Sequence, residues 1–173
     1  MAEIFDLYDK DRIRTNETVP RGDTIPEGRY HQVVHICIFN KAGQMLIQQR
    51  QPFKQGWPDL WDISVGGSVI AGEDSRQGAH RELKEELGID YDFSDLRPQL
   101  TINFNHGFDD YYIIGMELDP DKLNLQYEEV RQARWAERSE IQAMIHEKIF
   151  LPYYPELIDF LFASRFHFSA HSV

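Results

Sequence analysis

The residues best placed to do chemistry are three glutamates, Glu82, Glu85 and Glu86, inside a stretch of good helix formers from about Asp74 to Leu87. Successive helical residues lie about 100° apart, so Glu82 and Glu86 stack one turn apart with Glu85 beside them. Ala79, Leu83 and Leu87 share the adjoining face. Like charges at this spacing cost roughly a few tenths of a kcal/mol per pair on an exposed helix, and more beside an apolar stripe. Either the glutamates form a solvated acidic face, diluted by Arg81 and Lys84, or something offsets that cost. A divalent cation held among carboxylates would do so, and would let an acidic chain hold an anion.

The helix has its own stop and start signals. Asp74 can cap its first turn, and Gly88 follows its last residue in the position that favours a left-handed backbone. Ahead of it, a short strand near Ile4 to Tyr8 leads into an irregular connection rich in turn formers, where Arg21-Gly22-Asp23 reads as a turn. Segments 32–39 and 44–50, joined by Asn40-Lys41-Ala42-Gly43, predict an antiparallel hairpin. Residues 51–59 carry two prolines and a glycine and read as an exposed loop, with a strand over Leu60 to Val65 after it.

Beyond the helix, strands are expected over Gln99 to Asn105, Tyr111 to Leu118 and Val130 to Trp135, the first two joined through a loop over 106–110. Ser139 to His146 and Pro155 to Phe166 have helical spacing, and Leu157, Phe160, Leu161 and Ala163 would form the covering stripe of the second. With no internal repeat and no linker, the chain reads as a single α+β or sandwich-like domain.

Composition excludes several classes. The chain has 173 residues, 18 Lys plus Arg against 29 Asp plus Glu, and a formal charge of −11. Nucleic-acid binders gain affinity by setting cations against phosphates, so no nucleic-acid partner is expected. With 42% hydrophobic residues the chain can bury a core, and its single cysteine, Cys37, allows no internal disulfide and sits in an apolar run as a small core residue. The start, Met1-Ala2-Glu3-Ile4-Phe5-Asp6, has no basic region followed by an apolar stretch, and no run reaches the roughly 20 apolar residues that span a bilayer. A cytoplasmic protein with no membrane partner is expected.

The wider spacing around the glutamates decides between an acidic face and a site. Gly67-x5-Glu73-x7-Arg81-Glu82-Leu83-x-Glu85-Glu86-x-Gly88-Ile89 resembles the Nudix box, with every defining position matched over residues 67–89. The resemblance implies a Nudix hydrolase: an α/β/α sandwich with a mixed β-sheet and a loop-helix-loop catalytic motif. It implies hydrolysis of a diphosphate linkage in a nucleoside-diphosphate-type small molecule, with Mg²⁺ or Mn²⁺ as cofactor. Water attack on a diphosphate needs its charge neutralised, the water deprotonated and the leaving phosphate stabilised. Mg²⁺ generally takes one or two carboxylates together with waters and substrate phosphates.

Carried over by position, Glu82 and Glu86 are the expected metal ligands with Glu85 as a third, and Glu85 and Glu86, together with Arg81 and Glu73, are the catalytic candidates. Arg81 would orient a metal-binding carboxylate through a bidentate pair, Glu73 would brace the loop, and Gly67 and Gly88 would permit the turns on either side. Outside the box, Asp109, Asp110, Glu128 and Glu129 are candidates for the catalytic base. Arg50 and Lys54 are the expected phosphate contacts, and Phe53, Trp57, Trp61, Phe104 and Phe108 could stack on a base or serve packing.

His31, Phe39-Asn40, Gly43, Leu46-x3-Arg50, Trp57-Pro58-x2-Trp61 and Ser64-Val65 look like the arrangement in isopentenyl-diphosphate isomerases and their hydrolase relatives. That isomerase needs a cysteine just before the box glycine and histidines for its metal. Here those positions hold Gly66, Ser68 and Thr24, and His31 alone remains, as a ligand or a structural hydrogen-bonder. The reading is therefore a hydrolase on the isomerase-like branch, with isomerase activity and a non-catalytic nucleotide-binding module as alternatives. A homodimer is left open.

Overall fold

The computed structural model describes residues 3–171, so Met1 and Ala2 of the N-terminal stretch lie outside the described residues. The elements are β1 (Ile4–Tyr8), β2 (Arg14–Pro20), β3 (His31–Phe39), β4 (Met45–Arg50), β5 (Trp61–Asp62), β6 (Val65–Ser68), α1 (Ser75–Leu87), β7 (Leu100–Phe104), β8 (Gly107–Gly115), β9 (Val130–Ala136), α2 (Arg138–His146) and α3 (Pro155–Ser164).

Strand β3 lies at the centre because it is apolar on both faces. Its alternation sends Val34, Ile36 and Ile38 to one side and Cys37 and Phe39 to the other, and all five are buried. One edge of β3 pairs in parallel with β8, from His31 opposite Gly107 to Phe39 opposite Gly115, and β7 follows antiparallel. The other edge is shared. Val33 to Ile36 pair with β6, whereas Phe39 pairs with Met45 of β4, which is itself flanked by β5 and β9. The result is a mixed seven-stranded sheet.

Beyond the Phe39–Met45 pair β3 and β4 part, β6 takes the freed edge of β3, and Ser64 bridges β3 and β4 at the fork. Its hydroxyl accepts from the Ile38 N–H at 2.9 Å and donates to the Leu46 carbonyl at 2.5 Å. The strand expected over Leu60 to Val65 is accordingly two short ones, since a side chain stands in for the ladder at the break.

Helix α1 covers one face, where Ala79, Leu83 and Leu87 pack against Val34, Ile36 and Tyr112. Helices α2 and α3 cover the other, around Phe39, Ile47, Ile141 and Leu161. This is the expected α/β/α sandwich. The buried stripe of α3 is Ile158, Leu161 and Phe162, so the predicted stripe is rotated: Leu157 and Phe160 flank it and Ala163 is exposed. Gly107 to Asp110, expected in a loop, belong to β8, because the β7–β8 turn closes within Phe104 to Gly107. The connection after β1 is not irregular either. Residues 14–20 return as β2 and pair with β1, burying Phe5, Leu7 and Val19 against Ile25 and Ile70. Among the described residues no helix is long and apolar enough to cross a membrane.

Candidate active site

Two caps fix where α1 begins and ends. The Asp74 carboxylate accepts from the N–H groups of Arg76 and Gln77 at 2.9 Å each, and the Gln77 side chain accepts from the Asp74 N–H, a reciprocal capping box. Gly88 ends the helix at φ 70°, where a Cβ would be strained. Burial of Ala79, Leu83 and Leu87 then sets the rotation of the helix and turns Glu82 and Glu86 toward the sheet.

Glu86 is only 4% exposed, and its Oε2 accepts from Gln48 Nε2 of β4 at 2.8 Å. Glu82 lies over Gly67 of β6, so closely that any Cβ at position 67 would overlap its carboxyl group. The box glycine is therefore required for close approach, and its role as a turn former is secondary. Arg81 joins these parts. Its guanidinium forms a two-pronged pair with Glu73 (2.8 and 3.1 Å), and also donates to Glu82 at 2.9 Å, to Glu85 at 3.1 Å and to the Ser68 carbonyl at 2.9 Å. The bidentate partner is thus Glu73, which braces the loop, while the expected metal-binding carboxylate Glu82 receives a single bond.

These groups open on a cavity of about 90 Å³ that Glu82, Glu85, Glu86 and Gly67 line from one side. Arg50, Lys54 and Glu129 line it from another, and Glu3 and Arg21 of the N-terminal hairpin complete the rim. Both expected phosphate contacts are present, each already engaged. Lys54 pairs with Glu129, and Arg50 donates to the Gly56 carbonyl at 3.1 Å with Asp62 at 3.5 Å.

Burial pushes the Glu82 carboxyl up to about 7 despite Arg81, with the charges of Glu85 and Glu3 adding to the rise. Glu86 is pushed well above the usual carboxylate range by burial and then by the charge of Glu82, against the hydrogen bond from Gln48. Burial alone would lower the Arg81 pKa, but Glu73 and Glu82 more than offset it and the group stays charged. Two nearly buried carboxylates that destabilise one another are a donor set short of positive charge, which a divalent cation supplies. Among the described residues, no three His, Cys, Asp or Glu side chains already close on one point as a cation cage. Glu85, 49% exposed and held by Arg81, stands apart from the buried pair. The set fits a cation that takes two carboxylates and fills its remaining positions with water and substrate oxygens.

The other candidates lie elsewhere. His31 is wedged between Phe5 and Phe104, ring centroids 5.4 and 5.5 Å away, and burial lowers its pKa against the pull of Asp109. Asp109 faces His35 at 3.3 Å, and Asp110 accepts from Gln32, Ser75 and Thr101 at the start of α1. Glu128 is exposed. Nor do the five aromatics form one surface: Phe53 leans on Tyr127, Trp61 lies under Arg134, and Phe108 packs on Tyr8. Sequence reasoning missed Glu3, Arg21 and Gln48 as site residues. Gln48 and Gln49, directly after the buried apolar run Met45-Leu46-Ile47, were a legible signal, since a buried amide needs a polar partner.

The NUDIX domain family model matches residues 29–157. An uncharacterized Nudix hydrolase of Listeria innocua is 42% identical over 168 residues, covering 96% of this chain and 99% of its own length. An isopentenyl-diphosphate Delta-isomerase of Photorhabdus laumondii is 27% identical, with 84% of each chain covered. A crystal structure of a Deinococcus radiodurans protein superposes with a TM-score of 0.75 over 91% of this chain and 98% of that one, and at 24% identity it shows the shared fold. The family match and the 42% identical relative show that the chain belongs to the Nudix hydrolases, and its weaker likeness to an isopentenyl-diphosphate isomerase fits the isomerase-like branch expected from the sequence.

Proposed function

We propose that this Nudix hydrolase, acting as one domain, uses Mg²⁺, or Mn²⁺ in its place, to cleave the diphosphate linkage of a nucleoside-diphosphate-type small molecule by water attack at phosphorus. The observation that carries this reading is the Glu82–Glu86 pair, nearly buried, with one bond from Arg81 to Glu82 and only the Gln48 amide at Glu86, and held beside a cavity rimmed by Arg21, Arg50 and Lys54. When bound, the metal supplies positive charge against the diphosphate and activates water.

The chain supplies the rest. Glu82 and Glu86 hold the cation. Arg81 fixes Glu82 and Glu85 from behind, and Glu73 locks Arg81 to the loop. Arg50 and Lys54 take substrate phosphate oxygens. Glu85 and Glu129, at the cavity margin, are the carboxylates open enough to accept a proton from water. An isomerase needs an acid where this chain has Gly66, and a side chain there would begin 2.9 Å from His35 Nδ1, so both the missing thiol and the filled space favour hydrolysis.

The test is a panel of ADP-ribose, nucleotide sugars, dinucleoside polyphosphates, oxidised nucleotides and isoprenoid diphosphates, assayed with Mg²⁺ and Mn²⁺. Cleavage of one class by the wild type, lost in Glu86→Gln with the fold retained, is the expected result. Isomerised isopentenyl diphosphate without phosphate release would reverse it.

A further inference from the structure

Five carboxylates, Glu3, Glu82, Glu85, Glu86 and Glu129, face the cavity against three cations, Arg21, Arg50 and Lys54. The cations differ in what already occupies them. Arg50 is tied to the following loop at Gly56 and to buried Asp62, and the half-buried Lys54 side chain pairs with Glu129. Arg21 is the freest: its side chain is 57% exposed, and Nη1 meets Glu3 at 2.6 Å. The guanidinium has five N–H donors, so most of its fork remains available.

Arg21 is nevertheless held in place. Its own N–H bonds the Glu3 carbonyl at 2.8 Å, and β1 is fastened to the loop before α1: the Ala71 N–H donates to the Ile4 carbonyl at 2.7 Å, and the Gly72 N–H to Asp6 at 2.8 Å. Arg14 of β2 clamps the same joint, pairing with Asp6 at 3.2 Å and donating to the Glu73 carbonyl. Behind these bonds Phe5, Leu7 and Val19 form a small core with Ile70. The hairpin thus presents a cation to the cavity from a support fixed to the same loop that carries Glu73.

We infer that Arg21 is a further substrate-binding residue, which exchanges Glu3 for the non-bridging oxygens of the substrate's diphosphate. The inference rests on the diphosphate reading above. A phosphate group presents more charge than a carboxylate and accepts two parallel N–H bonds from a guanidinium, so the exchange favours substrate. Glu3 acts as the competitor: it holds Arg21 at the rim between turnovers and weakens each substrate's hold on it.

Calorimetric titration of methylenediphosphonate, a non-hydrolysable diphosphate, in the presence of Mg²⁺ tests this, alongside thermal melts. Loss of a charge-assisted contact predicts roughly tenfold weaker binding for Arg21→Ala at unchanged Tm, with partial recovery in Arg21→Lys. Glu3→Gln is expected to bind more tightly than wild type, since the competitor is gone. A purely structural ion pair would make Arg21→Ala and Glu3→Gln fail together with lowered Tm, and that pattern overturns the inference. Wild-type binding that Arg21→Ala retains in full overturns it while leaving the diphosphate reading intact. No Mg²⁺-dependent binding by wild type overturns both.

Discussion

The guanidinium of Arg81 touches Glu73, Glu82, Glu85 and the Ser68 carbonyl, and so carries the charge balance of the site. Arg81→Lys keeps one positive charge but cannot fork, and leaves nearly buried carboxylates short of partners. A loss of roughly 3 kcal/mol in denaturant unfolding is expected, with Mg²⁺-dependent turnover falling further than stability does. Glu82 gives a pH signature. Its folded pKa, about 7, lies above the ordinary 4.5, so the metal-free protein favours the protonated form. That stabilisation is fully present below about pH 4.5 and disappears as pH rises through 7. Relative to Glu82→Gln, which does not titrate, wild-type stability without metal should therefore decline between those values. A flat difference across that range would mean that Glu82 is not desolvated.

At the scale of elements, the site depends on a helix and a split sheet meeting at Gly67. Ser64 holds the split open, and Ser64→Ala would leave the Ile38 N–H buried without a partner, at a cost of about 1–3 kcal/mol by chemical denaturation. The helix was legible in the sequence because both its ends and its buried face use local rules: Asp74, Gly88 and the Ala79, Leu83, Leu87 spacing. The break at Ser64 was not, since a side chain replacing a ladder bond leaves Leu60 to Val65 looking like one strand. Strand β2 was hidden for a related reason. Thr15 to Thr18 are polar and largely exposed, and Arg14 to Pro20 pair only with β1, so no apolar alternation marks them. The hairpin's contribution of Glu3 and Arg21 went unseen with it. The carboxylates of the box were found by spacing alone, whereas their division into a buried pair and an exposed Glu85 follows from tertiary packing around Gln48 and Gly67.

Over the whole molecule, a charge of −11 disfavours any polyanion, and the diphosphate reading requires that charge to be reversed locally. Cation binding should accordingly couple to global stability. Because protons compete for Glu82 and Glu86, Mg²⁺ should raise Tm more at pH 8 than at pH 5.5, and the difference should vanish in the Glu82→Gln, Glu86→Gln double variant. Equal Tm shifts at both pH values would place the cation elsewhere on the acidic surface. The most direct measurement of the central claim follows the panel's best substrate in ¹⁸O-labelled water by phosphorus NMR. Water attack at phosphorus predicts one ¹⁸O on a product phosphate, dependent on Mg²⁺ and absent in Glu86→Gln. Cleavage that leaves the phosphates unlabelled, or that proceeds equally in Glu86→Gln, would contradict it.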